Sequence, residues 1–68
     1  MNKIKINTEF IKLDQFLKWI GIADNGVMAK EIILDGEVQV NGEEERRRGK
    51  KLYPGDIVSV FEKEYIVE

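Results

Sequence analysis

Between positions 46 and 51 the chain reads Arg46-Arg47-Arg48-Gly49-Lys50-Lys51, five cations in six residues. Three adjacent guanidinium groups suit bidentate hydrogen bonding to the paired oxygens of a phosphate or a carboxylate. Glu43, Glu44 and Glu45 lie directly before the run and offer it an internal counter-charge. The whole chain carries a formal charge of −2. Outside the cluster, six basic side chains face thirteen acidic ones. Total charge governs solubility, whereas a concentrated patch points to a polyanionic partner.

A second group of polar residues is set by helix geometry. Leu13, Phe16, Leu17 and Ile20 stand at i, i+3, i+4 and i+7, the apolar stripe of an amphipathic helix. At about 100° per residue, Lys12, Gln15 and Trp19 fall on one flank of that stripe. A cation, an amide and an indole on one flank would make an electrostatic and stacking surface for an unpaired base. In so short a chain Trp19 is expected first of all to cover the edge of the core. Lys30 flanks the stripe of a second helix (Ala29, Ile32, Ile33) and would join the positive surface.

Catalytic chemistry has little material to work with. The chain has no Cys and no His, which excludes disulfides, thiol chemistry, Cys/His zinc sites and histidine acid–base catalysis. Ser59 and Thr8 are the only hydroxyl residues besides two tyrosines, and the glycines form no phosphate-binding loop. No catalytic residue, cofactor or metal ligand is expected. The chain reads as a binder.

The elements that must position these residues follow from periodicity. Sixty-eight residues make one domain. Lys3–Ile6 alternates polar and apolar residues and predicts a short strand. Helices are expected at about 13–20 and 26–35, with Asp24 or Asn25 capping the second and Gly21 and Gly36 ending the two. From Glu37 the period returns to two, and Asn41-Gly42 predicts a type I′ hairpin. Tyr53-Pro54-Gly55-Asp56 is a tight turn, followed by strands at Ile57–Phe61 and Tyr65–Val67. The fold class is α+β: two helices on one face of a small, mainly antiparallel sheet. No apolar run exceeds three residues, far below the ~20 of a membrane span. Lys3 and Lys5 interrupt any signal-peptide core, so the expected compartment is the cytoplasm, with no membrane partner.

Four segments together resemble a known family. They are Lys12-Leu13-Asp14-Gln15-Phe16-Leu17-Lys18, Ala29-Lys30-Glu31-Ile32-Ile33, Gly36-Glu37-Val38-Gln39-Val40-Asn41-Gly42 and Pro54-Gly55-Asp56. They resemble the S-four-type RNA-binding domain, over a core of about 12–60 within a single domain 1–68. The chain as a whole resembles the short stand-alone bacterial members of the YaaA/YbcJ type. The resemblance implies an αL motif, in which two helices and the next strand form the RNA-contacting surface. It implies non-catalytic binding of structured RNA, ribosomal RNA in ribosome assembly or translation, with ribosomal particles as partners and a monomeric chain. Lys12, Gln15, Lys30, Arg46, Arg47, Arg48, Lys50 and Lys51 are the expected contact residues. Many members carry a Ser-Arg pair at the start of the second helix. Here Asn25-Gly26 stand there, so one contact is missing that the Arg46–Lys51 loop would replace. The alternative is a protein-interaction adaptor using the acidic side and the strand edges at Lys3–Ile6 or Tyr65–Val67. A DNA-reading second helix is a weaker fit, because it offers Lys30 beside Glu31 and Asp35.

Overall fold

The computed structural model describes residues Met1–Glu68. The chain runs β1 (Asn2–Ile4), β2 (Ile11–Lys12), α1 (Leu13–Trp19), α2 (Gly26–Leu34), β3 (Val38–Val40), β4 (Glu43–Glu44), β5 (Lys51–Leu52), β6 (Ile57–Val60) and β7 (Lys63–Val67). The expected α+β architecture is present, and both helices end within a residue of their predicted limits.

Glycine supplies both helix ends for one reason. Gly21 and Gly36 adopt φ of +80° and +81°, the left-handed conformation that a Cβ disfavours. At each end the glycine amide and the next amide donate back into the last turn: Gly21 to Lys18 O and Ile22 to Leu17 O, Gly36 to Ile33 O and Glu37 to Ile32 O. These are paired Schellman bonds, which satisfy carbonyls that the helix leaves open. Asn25, not Asp24, caps α2, its side-chain oxygen accepting from Met28 N at 2.8 Å.

The main sheet has the order β1-β7-β6-β3-β4, antiparallel throughout except for β1, which pairs parallel with β7. Along β3 and β6 the alternation is strict: Val38, Val40, Val58 and Val60 point into the core, while Gln39 and Ser59 stand opposite each other on the open face. The core is filled by Leu13, Phe16 and Leu17 of α1, Ala29, Ile32 and Ile33 of α2, the valines, Leu52, Tyr65 and Val67. Phe16 meets Tyr65 edge-on at 6.3 Å between ring centroids. No polar or charged residue is buried.

Two features escape the sequence pattern. β2 and β5 form a separate two-stranded sheet of two residues each, with Ile11 opposite Leu52 and Lys12 opposite Lys51. The β6–β7 hairpin turns through Phe61 and Glu62, both at positive φ (49° and 64°), without glycine. β7 consequently starts at Lys63, two residues before the expected strand. At the β3–β4 turn, Asn41 (φ 52°) and Gly42 (φ 84°) do form the predicted left-handed pair.

Asn41 also reaches beyond its own turn. Its Oδ1 accepts from Ile57 N at 2.9 Å, and its Nδ2 donates to Asp56 Oδ1 at 3.1 Å. Asp56 Oδ2 in turn accepts from Tyr53 N at 2.8 Å. The hairpin turn and the Pro54-Gly55 turn are thus joined by one carboxylate.

A domain of this size has a net stability of only roughly 3–10 kcal/mol. Val38→Asp, which would put an unpaired charge where Val38 is fully buried, should abolish the cooperative thermal transition at room temperature; a melt within a few degrees of wild type would refute the register. Asn41→Ala should cost about 1–3 kcal/mol, because it orphans Ile57 N and strains the turn. Thermal unfolding of Asn41→Gly, which keeps the turn conformation, separates the two contributions.

Candidate nucleic-acid interface

The amide groups that open a helix need acceptors. In α1, Gln15 N donates to Asp14 Oδ1 at 2.8 Å, but for the amides of Leu13 and Asp14 the N-cap residue, Lys12, offers no side-chain acceptor. Backbone carbonyls of the basic loop take that role. Leu13 N donates to Lys50 O at 2.8 Å and Asp14 N to Arg48 O at 3.0 Å. The loop is therefore fixed against the start of α1 by its main chain, which leaves its side chains free to face outward. Pairing of β2 with β5 extends this docking and sets Lys12 directly across from Lys51. Both lysines are exposed, and neither ion-pairs within the chain. Like charges opposite one another on a sheet are unfavourable by themselves. Lys51 Nζ lies 4.8 Å above the ring of Phe10, a cation–π contact, and Phe10 leans on Tyr53 at 5.9 Å.

The three arginines do not behave alike. Arg46 Nε donates to Glu44 Oε2 at 2.7 Å, and Arg47 donates to Glu45 through Nε and Nη2 at 2.9 and 3.1 Å. The internal counter-charge of Glu44 and Glu45 is thus taken up, while Arg48 stays exposed and unpaired. The Glu45 side chain is only 12% exposed, against 74% for Arg47. Hydrogen bonding from the Arg47 guanidinium, reinforced by the Arg47 amide, holds the Glu45 carboxyl down at about 2, although partial burial opposes this. The same pair raises the Arg47 pKa above its ordinary value. Lys50 shares a hollow with Arg47 and Glu43–Glu45, so its charge is set among acids.

Lys12, Gln15 and Trp19 come together as the helical spacing predicts. They line one side of a groove of about 320 Å³ whose other wall is the segment before β2, including Asn7, Thr8 and Phe10. Trp19, expected at the core edge, is 61% exposed. The reason lies in the end of α1: the chain turns at Gly21, and Ile20 and Ile22 pack against the core there instead. Lys30 is exposed on α2, and no hydrogen bond or ion pair joins it to the loop. The groove wall at Asn7–Phe10 was invisible to sequence reasoning, because no periodicity marks it.

Charge of the opposite sign collects on the open face of the main sheet. Glu44, Gln39, Ser59 and Glu64 are successive cross-strand neighbours there. Of the two carboxylates on this face, Glu44 is paired with Arg46, while Glu64 makes no ion pair.

Similarity to known proteins agrees with this geometry. A family model described as S4 domain matches residues 4–68. A Bacillus subtilis protein named "Probable ribosome maturation protein RlbA" is 49% identical over 59 residues, covering 87% of this chain and 83% of that protein. The small ribosomal subunit protein uS4m of Schizosaccharomyces pombe is 38% identical over 52 residues, 76% of this chain but 16% of the other. Among solved structures, YbcJ from E. coli, described as carrying an αL motif involved in RNA binding, superposes with a TM-score of 0.73 at 29% identity, covering 98% of this chain and 86% of that one. The 30S ribosomal protein S4e from Thermoplasma acidophilum shares the fold, with a TM-score of 0.66 at 19% identity over 88% of this chain and 32% of its own.

The Glu45–Arg47 pair carries a pH signature. A carboxylate whose folded-state pKa lies at about 2, below its ordinary 4.5, adds stability that is fully present above pH 4.5 and disappears as the pH falls toward 2. Glu45→Gln should therefore flatten the melting-temperature profile between those values. Superimposable wild-type and mutant profiles would show that the pair does not persist in solution.

Proposed function

Because the chain belongs to the S4 domain family, we propose that it is a non-catalytic, cytoplasmic binder of structured RNA that acts on ribosomal RNA in ribosome maturation. The observation that carries this reading is the exposed Lys12–Lys51 pair. Two cations held opposite each other at the edge of a basic loop, with no acid assigned to either, form a seat for a polyanion. The roles named for the relatives, probable ribosome maturation for RlbA and RNA binding for the αL motif of YbcJ, support the substrate class.

In this reading, Lys12, Arg48 and Lys51 contact phosphates directly, with Lys30 and Lys50 adding to the field. Arg46 and Arg47 engage by exchanging Glu44 and Glu45 for phosphate oxygens, a swap between two acceptors of similar geometry. Gln15 supplies an amide for a sugar or base contact. Shape and backbone recognition provide most of the selectivity, as is usual for folded RNA.

Binding through phosphates makes affinity fall with salt, by about 0.7–0.9 units of log K per log salt for each phosphate neutralised. The five cations without a carboxylate partner give a slope of magnitude roughly 3.5–4.5, and Arg46 and Arg47 add little net, because each frees a glutamate as it takes up a phosphate. The triple variant Lys12→Ala, Arg48→Ala, Lys51→Ala should reduce it by about 2–3 units and weaken all structured RNAs to a similar degree. The double variant Arg46→Ala, Arg47→Ala should change it by less than about 1 unit, since two glutamates already offset those charges. Salt titration of binding to ribosomal RNA fragments measures both. An unchanged slope in the triple variant would overturn this assignment of the surface, and no binding by wild type at low salt would overturn the function.

A further inference from the structure

The groove beside α1 holds more than a phosphate seat requires. Trp19 presents an indole that is 61% exposed. Gln15 stands one helical turn before it, at the i, i+4 spacing that puts two side chains on one face. The Gln15 backbone amide donates to Asp14 Oδ1, whereas its side-chain amide makes no hydrogen bond within the chain, so the side-chain donors and acceptor are available. Across the groove, the half-buried Phe10 is pinned by Tyr53 on one side and Lys51 on another. Thr8 has no donor to offer, because its hydroxyl donates to Phe10 O at 2.8 Å, which ties that wall to itself and leaves the oxygen only as an acceptor. The volume of about 320 Å³ lies at the low end for small-ligand clefts, roughly 300–1,000 Å³. Lys12 stands on the rim, with Lys51 across from it.

These groups match the parts of one nucleotide. A flat π-system wants an aromatic face to stack on, its polar edge wants an amide, and its phosphate wants a cation at the mouth. We infer that this groove is a receiving site for a single unpaired nucleobase of the bound RNA, stacked on Trp19 with its edge toward Gln15 and its flanking phosphates at Lys12 and Lys51. The site rests on the RNA-binding reading above and adds to it a requirement for an unpaired base. A purely structural Trp19 would be covered by its own chain. A groove serving a hydrophobic peptide would not place two unpaired lysines at its mouth.

Trp19 is the only tryptophan, so its fluorescence reports on the groove directly. The probes are a short single-stranded oligoadenylate, whose base edge suits a glutamine amide, the same oligomer with abasic positions, and a fully paired RNA duplex. Oligoadenylate should quench wild-type fluorescence, and the abasic oligomer, with the same phosphates, should quench it weakly. Trp19→Ala should weaken oligoadenylate binding by roughly 5- to 150-fold, the loss expected for one stacked base. Trp19→Phe should keep most of the affinity. The duplex should bind wild type and Trp19→Ala equally, with the salt slope given above. Circular dichroism melts of Trp19→Ala should match wild type, because the side chain is exposed. Equal binding of oligoadenylate by wild type and Trp19→Ala, or equal quenching by the abasic oligomer, would overturn the base site while duplex binding left the broader function standing. Loss of binding to every RNA in wild type would overturn both.

Discussion

The first turn of α1 has amides to satisfy and no capping side chain, and the carbonyls of Arg48 and Lys50 satisfy two of them. That pair of backbone bonds governs much of the site's geometry. It draws a loop with five cations onto the body of the domain, a place where side-chain attraction alone would not hold it. It brings Lys51 into register with Lys12 and lets β2 and β5 pair over two residues each. Because the docking is made by backbone groups, it uses none of the loop's guanidinium or ammonium groups. A side-chain cap on α1 would have freed the loop to wander, and the positive surface would have had no fixed shape to match against RNA.

Charge is arranged by competition. Each of Arg46 and Arg47 already holds a carboxylate, in geometry close to that of a phosphate contact. The exposed Arg46–Glu44 pair adds little to folding, because solvent and salt screen it, whereas Arg47 holds the largely covered carboxylate of Glu45. On the proposed reading, these internal acids compete with an incoming anion for Arg46 and Arg47, while Lys12, Arg48 and Lys51 have no such competitor. A chain of net charge −2 can thus present one basic edge without binding phosphate on every side.

Rigidity near that edge comes from turns more than from core volume. Asp56 bridges Asn41 and Tyr53, and Asn41 holds the first amide of β6. Tyr53 then supports Phe10, which carries Lys51 and forms a wall of the groove. The path from the β3–β4 hairpin to the groove beside α1 is therefore a short series of polar and aromatic contacts. Fourteen buried residues, all apolar or aromatic, supply the rest.

The sequence by itself determined the helices, their glycine ends, the Asn41-Gly42 hairpin, the α+β class and the family. Each depends on local periodicity or on one residue's backbone freedom, and local rules are written in consecutive residues. It also put Lys12, Gln15 and Trp19 on one flank, because 100° per residue needs no tertiary information. Three things were decided only in the folded chain. The β2–β5 pairing joins residues about forty positions apart through segments too short to show a period. The exposure of Trp19 depended on which neighbour the Gly21 turn would fold back onto the core, and Ile20 and Ile22 took that place. The division of the arginine run into paired Arg46 and Arg47 and unpaired Arg48 required the path of the backbone after β4: the sequence put glutamates next to arginines, but which i, i+2 pairs close depends on that local conformation.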